Sequence, residues 1–330
     1  MGETLIKGSF TMNGAGELPG SVHYIQQPAN NPQQKLSTNW MMVQSTYSVT
    51  AVASCFIEYF GVSYRKEQEG EAMTSQHSPE RLAIVTGASR SRGIGAAICL
   101  ALAQAGVDIF FTHWSPYDHR MPWGAEEDEP DHLQRQVQAL GVRCEHMTID
   151  LGTIDAPLRI MQAAQAQLGP ASILVNNATH DDTSAPFDQL DAPTLDAYYA
   201  VNMRGTMLLS IEFARRFVSP SGGRIINLTS GQGRGAMPGK LAYVATKGAI
   251  EAFTITLAVE IAPRGITVNA VDPGPTDTGW MTEEVKRELL PRFPMGRIGQ
   301  PEDVARLITF LASEDAGWIT GQIIRSTGGF

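Results

Sequence analysis

The sequence predicts an α/β domain built on a mostly parallel sheet with helices on both faces. Three observations predict it. From Arg81 onward, short apolar segments alternate regularly with longer helical stretches. Most of these short segments are apolar throughout rather than alternating, the pattern of strands buried on both faces. The first of them runs straight into a glycine-rich turn and then an alanine-rich helix.

In order, Leu82-Ala83-Ile84-Val85 is the first strand and ends at Thr86-Gly87. Gly93-Ile94-Gly95 opens a helix that reaches about Ala105. Val107 to Thr112 forms a second strand. A long polar loop with Trp114, Pro116, Tyr117, Pro122 and Trp123 follows. A helix covers Pro130 to Leu140, and a third strand, Val142 to Ile149, ends at Asp150-Leu151. The next helix spans Ile154 to Leu168, and Ile173-Leu174-Val175 is strand four, leading into Asn176-Asn177-Ala178. One long helix is expected from Pro193 to Phe217. Strand five, Ile225 to Leu228, precedes Ser230, and a helix opening near Leu241 continues to about Pro263. Strand six is Ile266 to Val271. Helices near Thr282–Leu290 and Glu302–Leu311 and a last strand near Gln322–Ile324 complete a sheet of about seven strands.

The composition narrows the function. At 330 residues, 43% hydrophobic and 18% charged, the chain has the make-up of a soluble globular protein with a large core. The formal net charge is −9 and the pI about 5.3, without Lys/Arg runs, which argues against nucleic acid as a partner. The three cysteines, Cys55, Cys99 and Cys144, form no C-x-x-C pair. This argues against a disulfide framework or a zinc site and fits a reducing cytoplasm. No apolar run reaches the length of a membrane-spanning helix.

Two stretches carry chemistry. The first is the turn Thr86 to Gly95. Glycines let the backbone approach a pyrophosphate, and the helix start supplies free N–H groups and a positive dipole end. The second is Arg224 to Lys247. The i, i+4 spacing puts Tyr243 and Lys247 on one helix face, and Ser230 leaves a strand end beside it. A free tyrosine, with a pKa of about 10, exchanges protons poorly at neutral pH. A neighbouring lysine cation would stabilise the phenolate. The phenol could then protonate a carbonyl oxygen, which the serine hydroxyl orients. Tyr243 is the only tyrosine with a lysine four residues on.

With these residues, the chain from about 80 to 329 resembles the short-chain dehydrogenase/reductase family. It is most similar to the single-domain branch that contains 3-oxoacyl-carrier-protein reductases. The resemblance rests on Thr86-Gly87 and Gly93-Ile94-Gly95, Asp150, Asn176-Asn177-Ala178, Asn202, Ser230, Tyr243 and Lys247. It extends to Pro273-Gly274-Pro275-Thr276 and the closing Trp318-Ile319-Thr320-Gly321-Gln322 and Gly328-Gly329. It implies a Rossmann-like doubly wound sheet and hydride transfer between a nicotinamide and a carbonyl or secondary alcohol. Tyr243 would be the general acid/base and Ser230 would orient the carbonyl. Lys247 would lower the tyrosine pKa and hold the nicotinamide ribose, and Asn202 would hold a water linking Lys247 to solvent. Gly87, Gly93, Ile94 and Gly95 would cradle the cofactor. Asp150 and Leu151 would meet its adenine end. Asn177 and Ala178 would line its middle, and Pro273, Gly274 and Thr276 its nicotinamide end. A homodimer or homotetramer is implied, paired through the helices at about 193–217 and 241–262.

The sequence departs from the family pattern twice. Five residues rather than three separate Gly87 from Gly93, so the turn either bulges outward or alters contacts near the adenine ribose. Thr179 replaces the glycine that usually follows Asn-Asn-Ala. NADP(H) is expected over NAD(H). His113 stands where an NAD-preferring site presents an acid, and Arg90 and Arg92 could pair with a 2′-phosphate. The aromatics of Trp114–Glu129 are expected to pack on the surface, and Glu126 to Glu129 to form a solvated face. A partly apolar substrate is expected from Met237, Trp280, Met281 and Phe293. Two other functional classes fit these residues less well. A nucleotide-binding regulator without turnover has no need of Ser230 and Tyr243. A sugar-nucleotide epimerase or dehydratase needs more chain after strand six.

Residues 1–72 have no part in this fold. Residues 8–35 are rich in Gly, Pro, Asn and Gln, and Trp40 to Val62 is more apolar but interrupted. The codons CAG-GAG-GGN for Gln68-Glu69-Gly70 would spell a bacterial ribosome-binding sequence shortly before an ATG at Met73. The expectation is a single domain over 73–330, with 1–72 as an extension that is disordered or not part of the native protein, translated upstream sequence; the alternative is a real extension that anchors or regulates, with Trp40–Val62 as its packed element.

Overall fold

A computed structural model describes residues 81–124, 126–181 and 187–330; the expectation about residues 1–72 falls outside these. Seven strands form one parallel sheet: β1 (Leu82–Val85), β2 (Asp108–His113), β3 (Cys144–Thr148), β4 (Ile173–Asn176), β5 (Gly223–Leu228), β6 (Ile266–Asp272) and β7 (Ile323–Arg325). Their order is β3-β2-β1-β4-β5-β6-β7. The order reverses between β1 and β4, and the crevice at their carboxyl ends is where ligands of such sheets bind.

The helices are α1 (Ile94–Gln104), α2 (Ser115–Asp118), α3 (Glu129–Gln138), α4 (Ala156–Gln167), α5 (Ala192–Tyr198), α6 (Thr206–Arg216), α7 (Leu241–Ile261), α8 (Glu283–Leu289) and α9 (Pro301–Ala312). One core lies between the sheet and α1, α3 and α9, built from Ile98, Leu102, Val137, Ile308 and Leu311 against Val85, Ile109 and Ile173. The other lies between the opposite face and α4, α6 and α7, with Ile160, Phe213 and Leu257 against Ile84, Leu174 and Ile225. Strands covered on both sides must be apolar throughout, as the sequence has them.

The expected single helix over 193–217 is broken. A π-helical turn, Tyr199–Gly205, joins α5 to α6. Gly205 approaches Leu151 so closely that a Cβ there would stand 2.7 Å from the Leu151 Cγ. The wide turn directs Asn202 at the loop after β4, to which its side chain makes three hydrogen bonds, and at Thr246, to which it makes a fourth. A helix-period pattern does not reveal such a bulge, because one extra residue leaves the apolar spacing on either side intact. The polar segment after β2 also contains α2, a short helix the sequence did not signal.

Candidate active site

The glycine turn is tied to the centre of the sheet. Buried Thr86 accepts, through Oγ1, the N–H groups of Asn177 (3.1 Å) and Ala178 (3.0 Å). The Asn177 amide donates back to the carbonyls of Thr86 and Gly87, each at 2.9 Å. Gly87 has φ +73°, and a Cβ on it would lie 2.6 Å from the Ala178 Cα; one on Gly95 would lie 2.5 Å from the Gly87 oxygen. Backbone packs on backbone here, so both positions require glycine. No side chain caps α1 at Gly93. Its first N–H groups remain for a ligand oxygen, which fits a pyrophosphate.

The two extra residues of the turn bulge outward. Ser91 donates through its N–H (3.0 Å) and hydroxyl (2.8 Å) to Glu129 Oε1, so Glu129 is not merely part of a solvated face. Arg90 Nε pairs with Asp118 Oδ1 at 3.1 Å, and its Nη1 donates to the Thr278 carbonyl at 3.0 Å. The guanidinium sits 5.0 Å from the centre of the Trp123 ring. Arg92 is exposed and lies near Asp277, outside the cleft lining. His113 is buried, 3.1 Å from His146 Nδ1 and 3.2 Å from the Thr148 hydroxyl. Burial, with His146 second, lowers its pKa to about 4, so the ring is neutral at pH 7.

The second stretch meets the first across the cleft. Asn176 Nδ2 donates to Asn227 Oδ1 (2.8 Å) and Ser210 (2.9 Å), and Asn227 Nδ2 donates to Thr254 (2.9 Å). This buried ladder fixes the ends of β4 and β5 against α6 and α7, and with them Ser230 and Tyr243. Ser230 and Tyr243 both open into the cleft, and Ser230 acts on the phenol to lower its pKa. Lys247 is buried one turn on. Its Nζ donates to the Leu228 carbonyl at 2.9 Å and stands 5.7 Å from the centre of the Tyr243 ring. The electrostatics differ from expectation. Burial raises the Tyr243 pKa, with Ser230 opposing and Asp181 and Asp272 adding to the rise. Burial also lowers Lys247 to about 8, which leaves it mostly a cation at pH 7 one turn from the phenol.

Asn202 Nδ2 donates to the His180 carbonyl (2.9 Å) and the Thr246 hydroxyl (3.1 Å), and its Oδ1 accepts the His180 N–H (2.7 Å) and the Thr179 hydroxyl (3.2 Å). The side chain is thus committed to the loop after β4, and Thr179, the departure from glycine, turns its hydroxyl to it. Gly87, Arg90, Gly93, Ile94, Gly95 and His113 line one cleft of about 1240 Å³. So do Asp150, Leu151, Asn177 and Ala178 and, on the other side, Ser230, Tyr243, Pro273, Gly274 and Thr276. Asp150 turns its carboxylate to the Gly152 N–H at 2.7 Å. Asn202 and Lys247 stand behind this wall. Met237 and Trp280 line it as expected, but Met281 and Phe293 are buried and do not.

The chain matches the family model described as enoyl-(acyl carrier protein) reductase over residues 87–330. A short-chain dehydrogenase of Burkholderia cenocepacia J2315, solved in complex with NADP, superposes with a TM-score of 0.68 at 31% identity, over 76% of this chain and 97% of that one. The chain belongs to the short-chain dehydrogenase/reductase family. It is 54% identical to an uncharacterized oxidoreductase, YjdA, of Bacillus subtilis over 77% of this chain and 98% of that one. It is 35% identical to an acetoacetyl-CoA reductase of Shinella zoogloeoides over 76% of this chain and 98% of that one. As a member of the short-chain dehydrogenase/reductase family, it is an oxidoreductase acting on CH–OH and C=O groups with a nicotinamide cofactor.

Sequence reasoning gave several cleft residues no functional role. Tyr117, Asp118 and Trp123 line the cleft, so the segment after β2 does not simply pack on the surface. His180, Asp181 and Lys240 stand on the side of Tyr243, where Lys240 Nζ pairs with Asp181 Oδ1 at 2.7 Å. The available signals were the length of the segment after β2 and a lysine one turn before Tyr243. Among the described residues no group of metal-ligating side chains could hold an ion, and no helix is long and apolar enough to cross a membrane.

Proposed function

We propose that the protein is an NADP(H)-dependent carbonyl reductase, or secondary alcohol dehydrogenase in reverse, with Tyr243 as general acid/base. The observation that carries this is Ser230 and Tyr243 opening into the same cleft as the glycine turn, with Lys247 one helical turn behind Tyr243. Ser230 holds and orients the carbonyl oxygen. Tyr243, kept as the neutral phenol by burial, gives that oxygen its proton. The Lys247 ammonium, one turn away, stabilises the phenolate left when the proton is given up. Asn202 acts by fixing His180 and Thr246, and Asn177 and Ala178 with the glycine turn bind the dinucleotide. The bound nicotinamide supplies the hydride. The kinship to an acetoacetyl-CoA reductase supports a 3-oxoacyl-like substrate.

NADP(H) is favoured because His113 presents a neutral ring, not a carboxylate, after β2, and because Arg90 lies in the turn. The NADP bound to the Burkholderia relative supports the same choice. With acetoacetyl-CoA, ethyl acetoacetate and simple aldehydes as substrates, kcat/KM with NADPH is expected to exceed that with NADH by at least about tenfold. Equal or better use of NADH would overturn the choice, and no turnover with either would overturn the reductase.

The protein is proposed to be cytoplasmic and to work as a homodimer or homotetramer. Exposed apolar side chains on the family's pairing helices support this: Leu208 on α6, Ile255 (50% exposed) and Val259 (76%) on α7, and Trp318 (99%) near β7. Light scattering at micromolar concentration should give a dimer or tetramer mass; a monomer mass would refute it. The reductase domain is proposed to be residues 73–330. A chain beginning at Met73 should fold, bind NADPH and turn over like the full chain, and loss of any of these would show that residues 1–72 belong to it.

A further inference from the structure

The segment after β2 reaches across the cleft to the substrate side. Trp114 donates its N–H to Ser89 Oγ at 3.3 Å, anchoring the start of the segment on the glycine turn. One turn later, the Tyr117 phenol oxygen accepts the Asp181 N–H at 3.1 Å, and its ring lies 5.5 Å from that of His180. Asp118 then takes Arg90 Nε and Trp123 Nε1, each at 3.1 Å, and Arg90 reaches the Thr278 carbonyl on the far lip. The segment is thus held at both lips.

What Tyr117 touches is a built polar wall. Asp181 Oδ1 accepts Lys240 Nζ at 2.7 Å and the Tyr198 hydroxyl at 3.1 Å. Both side chains of the ion pair keep about a quarter of their surface exposed, 28% for Asp181 and 27% for Lys240, so the pair is partly open to the cleft. Lys240 also precedes Tyr243 by one turn of chain, and Tyr117, Asp181, Lys240 and Tyr243 line the same cleft. A carboxylate and an ammonium side by side offer an acceptor and donors to one hydroxyl or amide group. Met237, Trp280 and Leu289 add apolar surface to the same cleft.

We propose that Asp181 and Lys240 form a substrate-recognition pair, positioned by Tyr117 from the segment after β2, that selects carbonyl compounds carrying a hydroxyl or amide group next to the reacting carbonyl. The proposal rests on the reductase function above. Tyr117 is a positioning residue: it holds Asp181 through its backbone, and the ion pair touches the substrate.

Hydroxyacetone and butanone test it, because they have the same shape and differ by a hydroxyl in place of a methyl. The wild-type protein with NADPH should favour hydroxyacetone in kcat/KM by about tenfold or more. Lys240→Met should abolish the preference: the hydroxyacetone-to-butanone ratio of kcat/KM should fall to about one, with the larger loss in KM for hydroxyacetone, whatever common change in kcat follows from leaving Asp181 unpaired near Tyr243. Tyr117→Phe, which keeps the ring against His180 and loses the bond to Asp181, should reduce the preference severalfold. NADPH affinity, read by fluorescence titration, should stay within about twofold of wild type in both variants. A merely structural role for Tyr117 would instead lower both ketones and NADPH affinity together, and that outcome overturns the proposal. So does a wild-type ratio near one. Reduction of neither ketone, nor of the carbonyl panel above, would overturn the reductase function and this pair with it.

Discussion

Tyr243→Phe is expected to lower kcat by about a thousandfold while leaving NADPH affinity within about twofold. The ring and its packing stay; the hydroxyl that opens into the cleft beside Ser230 goes. A group that acts only as proton donor stabilises the transition state and not the ground state, so kcat and kcat/KM should fall together. The direction of the electrostatics sharpens this. Burial keeps the phenol protonated at neutral pH, the state that can donate in the reductive direction. Alcohol oxidation needs the phenolate, so in the wild type it should gain more from alkaline pH than reduction does. Steady-state kinetics in both directions, with a fluorescence titration of NADPH, checks both statements. Turnover near wild type in the phenylalanine variant would remove Tyr243 from the mechanism.

Much of this was legible in the sequence because the signals were local or periodic. Strands covered on both faces read as apolar runs, and Gly95 is demanded by backbone contacts with Gly87 and Ala88 within one βα unit, whereas the need for glycine at 87 comes from Ala178 across the sheet. The Tyr243–Lys247 spacing is a property of one helix. What stayed hidden depends on contacts between distant segments. The two-residue bulge at Arg90–Arg92 makes sense only beside Asp118 and Glu129, which meet it from the segment after β2. The same segment carries Tyr117 to Asp181, 64 residues away in the chain. The π turn at Tyr199–Gly205 keeps its neighbours' helical spacing and is visible only in the backbone. The direction of the Tyr243 and Lys247 shifts is likewise three-dimensional: adjacency along a helix predicts mutual stabilisation, but burial acts on both groups and outweighs it here.

Lys247→Met should cost activity and raise stability. Lys247 is 4% exposed, and its ammonium has one backbone acceptor, the Leu228 carbonyl. Its fall from 10.5 to about 8 corresponds to roughly 3 kcal/mol set against folding at neutral pH. Methionine has similar length and no charge to desolvate. Leaving the Leu228 carbonyl without its donor costs about 1 kcal/mol, so a net gain of about 2 kcal/mol is expected. For a domain of this size that is roughly 4–8 °C in Tm. The pH dependence gives the sign a second check. Below about 8 both folded and unfolded wild-type chains hold the Lys247 proton, and the penalty is full. Between about 8 and 10.5 the unfolded chain binds more protons than the folded one, so wild-type stability from this group rises with pH. The advantage of the variant should therefore shrink across that window. Activity should move the other way: without a cation one turn from the phenol, kcat/KM at neutral pH should fall by at least about a hundredfold. Thermal unfolding of both chains from pH 7 to 10, paired with turnover at pH 7, separates the outcomes. A variant less stable at pH 7 would mean that the buried ammonium is better compensated than its single bond to Leu228 implies. A variant with unchanged turnover would mean that Lys247 serves only the packing of α7 against β5.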